Sequence, residues 1–185
     1  MLRRTAIALS TMLVASLGWF GWLQASGNFH PIVAGQAYRA AQLDGASLRR
    51  WQRDHGIASV LNLRGENDGK GWYDDEIAAT RDLGLTHIDF RMSASTALTA
   101  PEARQLIQIM RDAPKPILIH CKSGADRTGL AAALFVAGIA KGTEIAAEWQ
   151  LSPRYGHVGL PWISAAWAMD ETWESLEHEL GFPHS

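Results

Sequence analysis

From His120 to Gly129 the chain reads His-Cys-Lys-Ser-Gly-Ala-Asp-Arg-Thr-Gly, set between the apolar runs Ile117-Leu118-Ile119 and Leu130 to Val136. Few folds admit such a stretch. A buried strand must feed a tight loop, and the loop must open a buried helix. Backbone N–H groups at a helix N-terminus point into such a loop, and the macrodipole adds roughly half a positive charge there, so the loop is an anion site. Cys121 begins it and Arg127 closes it six positions later. A thiol and a planar guanidinium therefore face one tetrahedral anion, as nucleophile and bidentate clamp. A helix N-terminus and neighbouring cations favour the thiolate. Lys122, Ser123, Gly124, Ala125 and Asp126 supply the loop amides that bind the phosphate with Arg127. Thr128 is placed to give its hydroxyl to the sulfur, and His120 supports the loop through hydrogen bonding. Gly124 and Gly129 permit the unusual dihedrals and close packing that the turn into the helix demands.

The segment His120-Cys121-x-x-Gly124-x-x-Arg127-Thr128-Gly129 resembles the signature loop of the cysteine-dependent protein tyrosine and dual-specificity phosphatases. Tyr38-Arg39-x-x-Gln42 and Asn62-Leu63-Arg64 extend the resemblance, to a bacterial and fungal dual-specificity-like branch, over most of residues 36 to 158. The resemblance implies an α/β fold with a mostly parallel central sheet flanked by helices on both faces and its site at the strand carboxyl ends. It also implies hydrolysis of a phosphate ester through a phosphocysteine.

Elsewhere the chain is ordinary. Its 185 residues are 47% hydrophobic and 19% charged, enough for one catalytic domain with a core. A net charge of −2 gives no footprint for nucleic acid. One cysteine permits no internal disulfide, and the seven histidines show no metal-ligand spacing, so neither a metal nor a cofactor is implied.

Arg3 and Arg4 precede an uncharged run from Thr5 through Phe29 that carries Ile7, Leu9, Met12, Leu13, Val14, Leu17, Trp19, Phe20 and Trp22. Residues 1–27 are expected to be a transmembrane anchor, or a secretory signal cleaved near Ala25-Ser26-Gly27, with residues 28–185 as the phosphatase domain outside the cytoplasm, in a bacterial periplasm. Phe29 to Gly35 reads as a linker. Strands follow at 36–41, 57–63, 85–90 and 117–119. Helices are expected from Asp44 or Ser47 to His55, over 73–83, and from a Thr99 capping box through Met110. After the signature loop come a buried helix to Ala140 and a Thr143-capped helix to about Leu151. A last helix carries Trp162, Ala166, Met169, Trp173, Leu176 and Leu180 on one stripe. Asp74, Asp75 and Glu76 read as favourable first-turn acids. Arg64 and Lys70, in the turn-rich loop after the second strand, are candidates to face substrate.

Cleavage of a phosphate monoester needs an acid for the leaving oxygen and then a base for the attacking water. The resembled family places an aspartate a little over thirty residues before the nucleophile, and Asp89 stands 32 residues before Cys121, at the end of a strand. Asp126, inside the loop, is the other candidate, and His157 is a residue that could approach the site. The expected activity is that of a phosphomonoesterase on a membrane lipid or glycolipid phosphate, suggested by the anchor and by Lys122 after the cysteine. Phosphotyrosine or other phosphoprotein substrates and inositol polyphosphates are alternatives, as is an inactive phosphate-binding module.

Overall fold

A computed structural model describes residues 2–182. Met1 and the last three residues, at the ends of the expected anchor and domain, lie outside the described residues. Five strands form one sheet: β1 (His30–Val33), β2 (Ala37–Ala40), β3 (Ser59–Asn62), β4 (Thr86–Asp89) and β5 (Ile117–His120). Their order is β1-β2-β5-β3-β4, with β2, β5, β3 and β4 parallel and β1 antiparallel on the edge. β5, the strand that feeds the signature loop, therefore sits at the centre. Its four residues are all buried, as a strand covered on both faces must be.

Alternation along the strands sorts side chains to the two faces. Tyr38, Ala40, Val60 and Leu118 pack with Leu48 and Trp51 of α2 (Gly45–His55) and Ala79 of α3 (Gly71–Asp82). Ala37, Leu61, Ile117 and Ile119 face the larger core, built with α4 (Ala100–Asp112), α5 (Asp126–Gly138) and α7 (Trp167–Leu180). The expected mostly parallel sheet with helices on both faces is thus the observed architecture. The capping box at Thr99 and Glu102 is present, as is the Thr143 cap of α6 (Glu144–Glu148).

Three expectations are corrected. The supposed linker contains β1, whose alternation is broken by Pro31 and a register shift before Val33. Trp162 does not begin the last helix: it stands fully exposed in the loop before α7, at φ 64°, and only Met169, Trp173 and Leu176 of the expected stripe are buried. Finally, among the described residues no helix is long and apolar enough to cross a membrane. The expected membrane segment is instead helix α1 (Leu2–Ala25), whose apolar residues are interrupted by Thr5, Ser10, Thr11, Ser16, Gly18 and Gly21. Its last turns are engaged on the protein: Leu23 is buried, and Trp19 Nε1 donates to Pro153 O at 3.1 Å.

Candidate active site

The signature loop spans the five residues between β5 and α5. Each of its carbonyls from Lys122 to Ala125 is held from outside. The Gln42 amide donates to Lys122 O at 3.1 Å, Asn28 Nδ2 to Ser123 O at 3.1 Å, and Arg39 Nη2 to Gly124 O at 2.9 Å and Ala125 O at 3.3 Å. With these carbonyls turned outward, and the Ala125 amide donating to Ser123 Oγ at 3.4 Å, the remaining loop amides are left to form an anion nest. Gly124 sits at φ +72°, and a Cβ there would lie 2.7 Å from the Ala40 carbonyl carbon and the Ala41 nitrogen, so only glycine lets the loop close on the end of β2.

Arg39 is the buried hub of this arrangement. It is fully buried, donates through Nη1 to both Gln150 O and Gln150 Oε1 at 2.9 Å, and stacks 3.9 Å from the Tyr155 ring centroid. Burial lowers its pKa to about 10, against the opposing pull of Tyr155 and Cys121. Cys121 is 1% exposed at the base of the nest. Arg127 Nη1 donates to Met92 O at 3.4 Å, while Arg127 Nε and Thr128 Oγ1 are buried with no hydrogen-bond partner among the described residues. Buried donors are seldom left so. The hydrogen bond expected from the Thr128 hydroxyl to the Cys121 sulfur is thus not formed in this structure.

Beneath the loop lies a second network, and it corrects the reading of the acids in α3. Asp74 and Asp75 are exposed, but Glu76 is buried. Its carboxylate meets His120 Nε2 at 3.0 Å and His87 Nε2 at 2.9 Å, and accepts from Gln42 Nε2 at 2.8 Å. Burial works against its charge, but His120 and His87 outweigh it and hold its pKa down to about 2. A carboxyl depressed in the folded state contributes stability above its unfolded value, near ~4.3, and loses it as pH falls toward the folded value. Glu76→Gln is therefore expected to flatten the loss of stability between about pH 4.5 and 2, and to cost about 1–3 kcal/mol at pH 7. Urea unfolding at pH 7 and pH 3.5 measures both effects; equal slopes in the two proteins would show that Glu76 carries no such charge.

The two candidate acids have different surroundings. Asp89 ends β4, two strands from His120, and both its oxygens are occupied: Asn62 Nδ2 donates to Oδ1 at 2.8 Å and the Tyr73 hydroxyl to Oδ2 at 2.6 Å. Burial and the bond to Asp89 raise the pKa of Tyr73, which keeps it a donor. Asp126 opens α5 beside Arg127, and its Oδ1 lies 2.8 Å from His157 Nδ1. Arg64 also belongs to the site. It bonds Gln42 Oε1 at 2.6 Å and lies 3.5 Å from the Trp72 ring centroid, and its pKa is lowered by burial and by Arg127 while Cys121 acts in the other direction. Lys122 is exposed at the rim, whereas Lys70 stands exposed at the start of α3.

Asn28, Arg39, Gln42, Glu76 and Asp170 are the site residues that the sequence did not assign. Arg39 and Gln42 lay inside a motif already singled out. Glu76 follows Tyr73 by three, on the buried stripe of α3 that continues to Ala79 and Thr80. An acid on such a stripe signals a buried partner.

A family model described as "DSP-PTPase phosphatase fused to NAD+ Kinase" matches residues 33–158. No curated protein sequence matches the chain. Among solved structures, P. aeruginosa TpbA is similar at TM-score 0.61 and 19% identity, over 82% of this chain and 86% of that one. The core catalytic domain of the PP-IP phosphatase SIW14 from S. cerevisiae, in complex with citrate, is similar at 0.59 and 17%, over 84% and 93%. PTPMT1 is similar at 0.57 and 14%, over 82% and 97%. These likenesses are of fold.

Proposed function

Because the chain belongs to the DSP-PTPase phosphatase family, and so to the cysteine-dependent protein tyrosine and dual-specificity phosphatases, we propose that it hydrolyses phosphate monoesters through a phosphocysteine at Cys121. The observation that carries this reading is the nest itself: four outward-anchored carbonyls around one buried thiol, with Arg127 Nε and Thr128 Oγ1 left to bind. Cys121 Sγ attacks phosphorus, the loop amides and Arg127 take the equatorial oxygens, and the ester oxygen leaves with a proton from a carboxyl group. Water then attacks the phosphocysteine as the same carboxylate takes its proton, and the Thr128 hydroxyl stabilises the departing thiolate.

Asp126 is the proton-transfer residue in this proposal. Both Asp89 oxygens already accept strong hydrogen bonds within β4's own surroundings, and the segment after β4 from Phe90 to Thr99 holds no other acid. Asp126→Asn is expected to lower kcat about 10²-fold for an alkyl phosphate and far less for p-nitrophenyl phosphate, whose leaving group needs no proton. If Asp89→Asn gives that selective loss and Asp126→Asn does not, the assignment passes to Asp89.

For the substrate, the reading that one observation favours is a phosphate carried on an apolar group, a lipid or glycolipid phosphate. The loop that brings His157 to Asp126 continues into Val158, Leu160, Trp162 and Ile163, all exposed, with Trp162 fully so. Assays of lipid, aryl and peptide phosphates and inositol polyphosphates side by side test it. A preference for phosphotyrosine peptide or inositol polyphosphate over lipid phosphate in mixed micelles would overturn it.

A further inference from the structure

His157 is 2% exposed, yet neither of its ring nitrogens is idle. Nδ1 lies 2.8 Å from Asp126 Oδ1 and Nε2 lies 3.0 Å from Asp170 Oδ2. Three side chains from three elements thus form one line: Asp126 from the first turn of α5, His157 from the loop after the short 3-10 turn Pro153–Tyr155, and Asp170 from the first turn of α7. The loop is pinned around it. The His157 amide donates to Ser152 O at 3.2 Å, and a Cβ on Gly159 would overlap Asp170 Oδ2, so the loop closes over that carboxylate where only glycine fits.

We propose that His157 and Asp170 are positioning residues for Asp126, holding one of its carboxylate oxygens so that the other is aimed at the reacting ester. The inference rests on Asp126 as the proton-transfer group. The logic is that of a carboxylate orienting an imidazole through one nitrogen so that the other acts on a partner. Here the partner is a second carboxylate. The charged groups that meet His157 are Asp126 from α5 and Asp170 from α7. Burial opposes its charge, but the hydrogen bonds to Asp126 and Asp170 outweigh burial and push its pKa up to about 9. An imidazolium at that place stabilises the carboxylate left after Asp126 has donated its proton. When water attacks the phosphocysteine, the proton returns to the outer oxygen and the imidazolium remains in place throughout.

The test uses the full chain with His157→Gln, Asp170→Asn, Asp126→Asn and the double change Asp126→Asn with His157→Gln. Each is assayed on an alkyl phosphate and on p-nitrophenyl phosphate across pH. His157→Gln and Asp170→Asn are expected to lose about tenfold more kcat on the alkyl ester than on the aryl ester. The basic limb of the kcat profile should move, because the group beside the acid changes from a cation to a neutral amide. In the double variant His157→Gln should add nothing to Asp126→Asn, since it acts through that residue. Asp170→Asn keeps the shape of the side chain and remains informative if His157→Gln folds poorly, as checked by tungstate-induced thermal stabilisation. If Asp126→Asn shows no leaving-group selectivity, the proton-transfer reading itself falls. If Asp126→Asn shows it but His157→Gln and Asp170→Asn lose both esters equally with an unmoved pH limb, the positioning role alone is refuted.

Discussion

Cys121→Ser is expected to lower turnover of p-nitrophenyl phosphate by about 10⁴-fold or more while leaving oxyanion binding in place. A serine hydroxyl stays protonated across the working pH range and is a far weaker nucleophile than a thiolate. The thiol contributes nothing to the nest, whose amides are set by anchors on the far side of the loop: Asn28, Arg39 and the Gln42 amide. Thermal stabilisation by tungstate should therefore persist in the variant, and activity and binding should separate cleanly. Retention of even a tenth of the activity would rule out the phosphocysteine route. A native protein that binds tungstate yet turns over no ester would make the loop a phosphate-capture module.

The second large effect is expected at a residue that touches no substrate. Arg39→Met is expected to destabilise the protein by about 3 kcal/mol or more and to lower kcat about 10²-fold. The guanidinium ties Gly124 O and Ala125 O to Gln150, and its loss leaves several buried acceptors without a donor, each costing about 1–3 kcal/mol. Methionine fills the volume and keeps the packing against Tyr155, so the loss reports the hydrogen bonds. Arg39→Lys should fall between, since a point charge cannot span Gln150 and the loop at once. Urea midpoints with unchanged slope, set beside kcat, measure both effects. Wild-type stability in Arg39→Met would mean that the loop carbonyls hold their direction unaided.

What was legible in the sequence was whatever rests on local pattern. The apolar run into His120 and the buried run after Gly129 placed β5 and α5, and the motif between them placed Cys121 and Arg127. The mostly parallel sheet with helices on both faces followed from the resemblance, whereas the order of its strands came only with the structure. Glu76 was misread because its charge suited a helix start, while its true partners, His87 and His120, come from strands 11 and 44 residues further on. Asp170 was invisible for the same reason, its partner lying in a loop ahead of its helix. The N-terminal run shows a different limit. Composition alone does not distinguish a helix facing lipid from one whose last turn buries Leu23 against the domain, and Trp19 and Asn28 settle on Pro153, Ser123 and Tyr155 only through the fold.

The single sulfur at the base of the nest has a consequence for oxidative chemistry. A thiolate taken by peroxide to the sulfenic acid is ordinarily rescued when a nearby second thiol closes a disulfide. This chain contains no second cysteine. Return to the reduced state then depends on a thiol from outside reaching a nearly enclosed sulfur, and further oxidation to the sulfinic acid is permanent without a dedicated repair enzyme. The same enclosure that excludes water from the reacting anion also makes the surrounding thiol pool the sole guardian of the nucleophile.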